Sequence, residues 1–227
     1  MINDVWVFGD SHWRVFFPFV NHGAATDNAA HTENDIMTID TIANELSGST
    51  MWGLLNNKSK HGARNRILET LNALGGTAEN VGLVFGEVDA RYHYDRYFAG
   101  DRFVLANLLE LLARYTRFIH EDLLASGLVK KNVFVYHGFW YPKRGETLQQ
   151  PGQPIGDAGF AKADAVNGWI NELLPTVLQH KQVHTIRPSL SHAVSDDGVH
   201  LIPEKVYPHV LAAMSRVLNP SSREISF

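Results

Sequence analysis

Val5-Trp6-Val7-Phe8-Gly9-Asp10-Ser11 is the stretch on which the fold turns. Four apolar residues in succession, stopped by Gly-Asp, read as a short buried strand. The form recurs at Val81-Gly82-Leu83-Val84-Phe85-Gly86 and at Val133-Phe134-Val135-Tyr136-His137-Gly138, and more weakly at Val183-His184-Thr185-Ile186-Arg187. These runs are nearly continuous in apolar residues. A strand covered on both faces is written that way because neither side meets water, and such strands belong to parallel sheets under two layers of helix.

Helical patterns separate the runs. Ile67, Leu68, Leu71 and Leu74 define one over 65–74, stopped by Gly75-Gly76. Leu105, Leu108, Leu109, Leu112, Tyr115, Ile119 and Leu123 sustain the i, i+3, i+4, i+7 spacing over 103–125. Further helices are predicted over 160–178 and, with Pro203 in its first turn, over 203–218. Strands alternating with helices predict an α/β fold with a mainly parallel central sheet and right-handed crossovers. The second parallel strand is expected within 36–46, where no clean apolar run marks it. Two stretches break the alternation: the polar 22–40, and 141–159 with Pro142, Pro151 and Pro154. Both exceed the usual connection and read as functional loops or covering segments.

A chain of 227 residues is expected to form a single domain, 1–227, burying roughly 70% of its unfolded surface. It has no cysteine, which excludes disulfides, thiolate metal sites and a cysteine nucleophile. Twenty Lys and Arg against 24 Asp and Glu give a net charge of −4, the wrong sign for a nucleic-acid binder. No basic stretch leads into an apolar run, and no window is long and apolar enough for a membrane span. The expectation is a cytoplasmic protein without membrane attachment. Histidine is abundant, at 12 residues.

Three short segments carry chemistry. Gly9-Asp10-Ser11 follows the first strand, and in parallel α/β sheets ligands bind at the carboxyl ends of strands. A serine there is placed to act as a nucleophile, although Gly-Asp-Ser is also an ordinary turn and N-cap. Asp197-Gly198-Val199-His200 offers a base for a serine hydroxyl and an acid to fix the imidazole tautomer. Ser47-Gly48-Ser49-Thr50 offers a backbone N–H that can approach an oxyanion closely, or a helix C-cap.

The order Gly-Asp-Ser, small Gly-x-Thr turn, Asp-Gly-Val-His resembles that of the SGNH (GDSL-type) hydrolase family. The resemblance implies a three-layer α/β/α sandwich with flavodoxin-like strand order. It also implies Ser11 as nucleophile, His200 as general base, Asp197 as orienting acid, and the backbone N–H groups of Ser11 and Gly48 as oxyanion donors. The family acts on esters, including acyl groups on carbohydrates and lipids, and needs no metal or other cofactor. One block departs from it. Where the family has Gly-x-Asn-Asp, this chain has Gly86-Glu87-Val88-Asp89-Ala90-Arg91, which puts Val88 at the place of an oxyanion-binding asparagine. Valine has no donor, and one lost oxyanion donor costs about 2.7–4 kcal/mol. Arg91, held by Glu87 or Asp89, is a candidate substitute; the alternative is a structural Glu87–Arg91 ion pair. The block is similar to a Gly-Glu-(Ile/Val)-Asp-x-Arg form found in SGNH-like proteins often linked to surface polysaccharides.

Further candidates line the same side. His12 reads as a substrate contact or a helix cap, and Glu87, Asp89, His93 and His137 as cleft residues. Trp140 and Tyr141 could stack on a sugar ring. His22 and His31, with Asp27 and Asp35, hold imidazole and carboxylate donors but no compact metal motif, so no metal is expected. The leading reading is a serine hydrolase of an acyl ester, such as an O-acetyl group of a small molecule or carbohydrate. An O-acyltransferase using the same triad and a non-catalytic SGNH-like binding domain are the alternatives. A nucleotide-binding flavodoxin-like domain lacks its glycine-rich loop here.

Overall fold

A computed structural model of the protein describes residues 2–16, 29–34, 37–46, 49–55, 59, 62–137, 148–150, 153–154, 156–187 and 201–219. In chain order the elements begin with β1 (Ile2–Gly9), a 3₁₀ turn (Ser11–Phe16), β2 (Ala29–Asn34), β3 (Met37–Glu45), a second turn (Trp52–Leu55), α1 (Ala63–Ala73) and β4 (Ala78–Val84). Then come α2 (Glu87–Tyr92), a third turn (Tyr94–Tyr97), a small hairpin of β5 (Phe98–Ala99) and β6 (Arg102–Phe103), and α3 (Leu105–Arg117), which runs on as a π-helical segment (Phe118–Ala125). The remainder is β7 (Val129–Tyr136), a second small hairpin of β8 (Leu148–Gln150) and β9 (Gln153–Pro154), α4 (Asp157–Val177), β10 (Val183–Ile186) and α5 (Pro203–Leu218).

The main sheet has the order β10-β7-β4-β1-β3-β2. All its pairings are parallel except β2 on β3. Counting only the parallel strands along the chain, the order across the sheet is fifth, fourth, third, first, second, which is flavodoxin-like as expected. The chain leaves β1 toward β3 on one side and then crosses back to β4 on the other. The strand order therefore reverses between β1 and β4, and a crevice opens at their carboxyl ends.

Burial follows the two-sided reading. Val7, Val84, Phe134 and Tyr136 pack on one face against Phe16 and, from α5, Val206, Val210 and Met214. Phe8, Leu83, Val133 and Val135 face the other side, with Ile67 and Leu71 of α1, Leu108 and Leu112 of α3, and Val166 and Ile170 of α4. Gly82 is required by this packing: a Cβ there would lie 3.1 Å from the Phe16 ring and 3.1 Å from Val7. Its absence lets Phe16, from the turn after β1, settle across β4.

Two elements differ from expectation. The polar stretch 22–40 holds the edge strand β2, whose Ala-Ala-His-Thr-Glu-Asn sequence lacks an apolar run because an edge strand need not be covered. The parallel strand expected within 36–46 is β3. The block after β4 is a helix, α2, too short for its periodicity to show in sequence. No helix among the described residues is long and apolar enough to cross a membrane.

Candidate active site

Ser11 begins the 3₁₀ turn directly after β1, at the crevice where the strand order reverses. The backbone brings the two walls together here. The Asp10 N–H donates to the Val84 carbonyl at 3.2 Å, tying the end of β1 to the end of β4. The Leu46 N–H donates to the Gly9 carbonyl at 2.7 Å, and the Ser49 N–H to the Leu46 carbonyl at 3.0 Å. The flanks of the Ser47–Thr50 segment thus lie beside the end of β1. Gly48, Trp140, Asp197 and His200 lie outside the described residues, as do His22, Asp27 and Asp35. His31 stands opposite Asp40 in the β2–β3 register.

Asp10, which the motif reading left without a role, organises the turn. It is fully buried, and its Oδ1 accepts from the His12 backbone N–H at 2.9 Å and contacts His12 Nδ1 at 3.1 Å. His12 is itself 2% exposed. The structure places it inside the turn, where its backbone N–H is the donor and the Asp10 carboxylate the capping acceptor.

Across the crevice, Gly86 leaves β4 at φ 124°, a conformation that favours glycine, and starts α2. The helix sets Glu87 and Arg91 at i, i+4. Arg91 Nε donates to Glu87 Oε1, and Nη2 donates to Oε2 at 3.2 Å. Both side chains are buried, and the Arg91 guanidinium also lies 4.2 Å over the Tyr92 ring. Asp89 turns elsewhere: its oxygens accept from the Met51 N–H at 2.7 Å and the Trp52 N–H at 3.3 Å. It therefore ties α2 to the 49–55 segment. Full burial pushes the Asp89 carboxyl up to about 7, against the pull of those two hydrogen bonds and of Arg96. Val88 is buried and offers no donor.

His93 ends α2, half-buried, its pKa lowered by burial and by Arg96. His137 sits at the end of β7, where its N–H donates to the Ile186 carbonyl at 3.1 Å. It is buried, and desolvation and the neighbouring Arg187 push it down to about 4 against an opposing contact with the Asn171 side chain. Its Nδ1 has no partner among the described residues. Two further polar groups in this corner, Asn167 and Asn171 of α4, are buried, with Asn171 Nδ2 donating to Asn167 Oδ1 at 3.4 Å. Sequence reasoning missed them, although two asparagines four apart among Ala163, Val166, Ile170 and Leu174 interrupt an apolar stripe.

Among the described residues, one group has metal-like spacing. Single ligand atoms of Asp10, His12 and Glu87 lie within 4.8 Å of one another. Glu87 is already engaged within this group, since Arg91 occupies both of its carboxylate oxygens. Asp10, His12, Glu87 and Arg91 are all buried near the end of β1, where the Ser11 turn begins.

No protein-family model matches the chain. No curated protein matches it in sequence. Solved structures do match it in shape. An aryl esterase of M. smegmatis superposes with a TM-score of 0.61 at 13% identity, over 95% of this chain and 99% of that one. Est24, a carbohydrate acetylesterase from Sinorhizobium meliloti, does so with a TM-score of 0.52 at 16% identity, over 95% and 99%. At such identities the likeness is one of fold, and strand order, layers and crevice agree with it: this chain has the SGNH-hydrolase-like α/β/α fold.

Proposed function

We propose that the protein is a serine-dependent hydrolase of carboxylic esters, with an O-acetyl group of a carbohydrate as the favoured substrate. The observation that carries this reading is the placement of the Asp10-Ser11 turn against the Gly86-Glu87 block at the reversal of strand order. In an open α/β sheet that crevice is where ligands bind. The aryl esterase and carbohydrate acetylesterase that share the fold support the ester class and, for the second, the substrate.

In this mechanism Ser11 Oγ attacks the ester carbonyl while His200 takes the hydroxyl proton, with Asp197 holding the imidazole tautomer. The oxyanion is met by the backbone N–H groups of Ser11 and Gly48. Collapse expels the alcohol, which receives the proton from His200 and leaves an acyl group on Ser11. Water, deprotonated by His200, attacks that acyl group and frees the acid. We assign Arg91 to holding Glu87 rather than to the oxyanion, since its Nε and Nη2 are committed to that carboxylate. Val88 leaves the third donor position apolar, which favours a slow enzyme, or a cleft that binds the same glycan without cleaving it.

A fluorophosphonate probe separates these readings. The wild-type protein should label and hydrolyse an activated acetyl ester, and Ser11→Ala should do neither. Labelling no faster than in Ser11→Ala would rule Ser11 out as a nucleophile.

A further inference from the structure

The chain on either side of Gly48 is held, and each hold comes from a different wall of the crevice. Before it, the Leu46 N–H donates to the Gly9 carbonyl at 2.7 Å, which fixes the chain to the end of β1. After it, every backbone N–H from 51 to 54 has an acceptor. Leu54 donates to the Met51 carbonyl at 3.3 Å, and Gly53 donates to Thr50 Oγ1 at 2.8 Å. The other two, Met51 and Trp52, donate to the two oxygens of Asp89, 38 and 37 positions away on α2. The first N–H groups of a helical turn have no partner inside it. Asp89 supplies that partner from another element, as a fully buried side chain. The turn it caps is closely packed. Met51 and Leu54 are in the core, and a Cβ on Gly53 would come within 3.0 Å of Thr50 Oγ1 and 3.2 Å of Ser59 Oγ. Between the residues held by Gly9 and by Asp89 lie four positions, 47–50, and Gly48 is one of them.

We infer that Asp89 is a positioning residue: its carboxyl caps the 52–55 turn and thereby anchors the short bridge that carries the Gly48 N–H. A backbone donor has no side chain of its own to aim it, so its aim depends on where the chain is anchored on either side. A donor to an oxyanion acts in the transition state only if it is held in place beforehand. The Gly9 anchor belongs to β1 and the Asp89 anchor to the element that follows β4. In the 86–91 block, Val88 thus brings no donor, while its neighbour governs a donor elsewhere. This role rests on the reading of Ser11 as nucleophile and Gly48 as oxyanion donor, whereas the capping of the turn does not.

Amide hydrogen exchange of the full chain decides the capping. In the wild type, Met51 and Trp52 should exchange as slowly as Leu83 and Val135 in the sheet, and fast exchange there would overturn the cap. Asp89→Asn keeps the shape but offers one acceptor oxygen in place of two. It should speed exchange at Met51 and Trp52 by about tenfold or more beyond any change at Leu83 and Val135. A change no larger than in the sheet would count against the cap as well. The positioning role is read from hydrolysis of an activated acetyl ester at pH 8.5, where a carboxyl raised to about 7 is ionised. In Asp89→Asn, kcat should fall by about tenfold or more with KM nearly unchanged. Ile119→Val, a core truncation in the segment after α3, should lower Tm and leave kcat as it was. A loss in Asp89→Asn that falls on KM, or that Ile119→Val matches, would reduce Asp89 to a structural part. A wild-type protein that neither labels with the fluorophosphonate nor turns over the ester overturns the nucleophile reading and the positioning role together, and the exchange rates then decide the cap by themselves.

Discussion

Two corners of the same sheet edge handle buried ionisable groups in opposite ways. At the β1–β4 crevice, Glu87 meets Arg91 in a buried ion pair, and Asp10 and His12 lie in contact with each other beside it. At the β7–β10 corner, His137 is equally buried but meets Asn171 and Arg187, and burial keeps it neutral down to about pH 4. A titratable group removed from water must either find an opposite charge or give up its own. The first corner takes the former course and the second the latter.

The contrast breaks most directly with paired substitutions. Arg91→Met removes the cation that grips both oxygens of the buried Glu87 carboxylate and should destabilise the protein by about 3–5 kcal/mol, the usual effect of removing one partner of a buried pair. His137→Met removes a neutral ring with an unpartnered nitrogen and should cost less than about 1.5 kcal/mol. Urea midpoints at pH 7 with matched m-values measure both. Equal losses would mean that the two corners are not different in kind.

Proton linkage sharpens the comparison, since Asp89 and His137 should tilt stability in opposite directions within one pH range. The Asp89 carboxyl is raised from 3.8 to about 7 in the folded protein. The native state thus holds a proton that the unfolded chain releases, and stability measured against Asp89→Asn should fall as pH rises from about 4 to 7. The His137 imidazole is lowered from 6.5 to about 4. There the unfolded chain holds the extra proton, so stability measured against His137→Gln should rise as pH climbs from about 4 to 6.5. Unfolding free energies at half-unit pH intervals test the signs, and two slopes of the same sign would contradict the assignment.

The smallest effect belongs to charge left in water. Lys131 and Glu79 are 2.8 Å apart, but their side chains are 56% and 44% exposed. Lys131→Ala should shift stability by about 1 kcal/mol or less, with the change fading in high salt. A loss approaching that of Arg91→Met would show that distance alone, and not burial, sets the strength of these pairs.

Much of the frame was legible in the chain. Val5–Phe8, Val81–Val84 and Val133–Tyr136 are buried on both faces, and that condition leaves its mark locally as unbroken apolar runs. Ala29–Asn34 was not legible as a strand, because an edge partner for β3 is defined by what it pairs with. The six-residue α2 was hidden for another reason: it is less than two turns long and buries Glu87, Asp89 and Arg91 beside Val88 and Ala90, so no apolar stripe marks it. At the candidate site, the position of Ser11 after β1 followed from motif and strand together. The importance of Asp10 did not, since an aspartate in a turn looks the same whether its carboxylate meets water or a buried imidazole.

Sequence alone determined the class of fold and the approximate course of its strands and helices. Those features arise from hydrophobic patterning and turn residues, which act over a few positions. Only the tertiary structure decided that Arg91 answers Glu87, that Asp89 turns away to Met51 and Trp52, and that Asp10, His12 and Glu87 share one buried volume. These relations join residues up to 77 positions apart, as with Asp10 and Glu87. Their strength depends on the exclusion of water, which only the assembled layers provide.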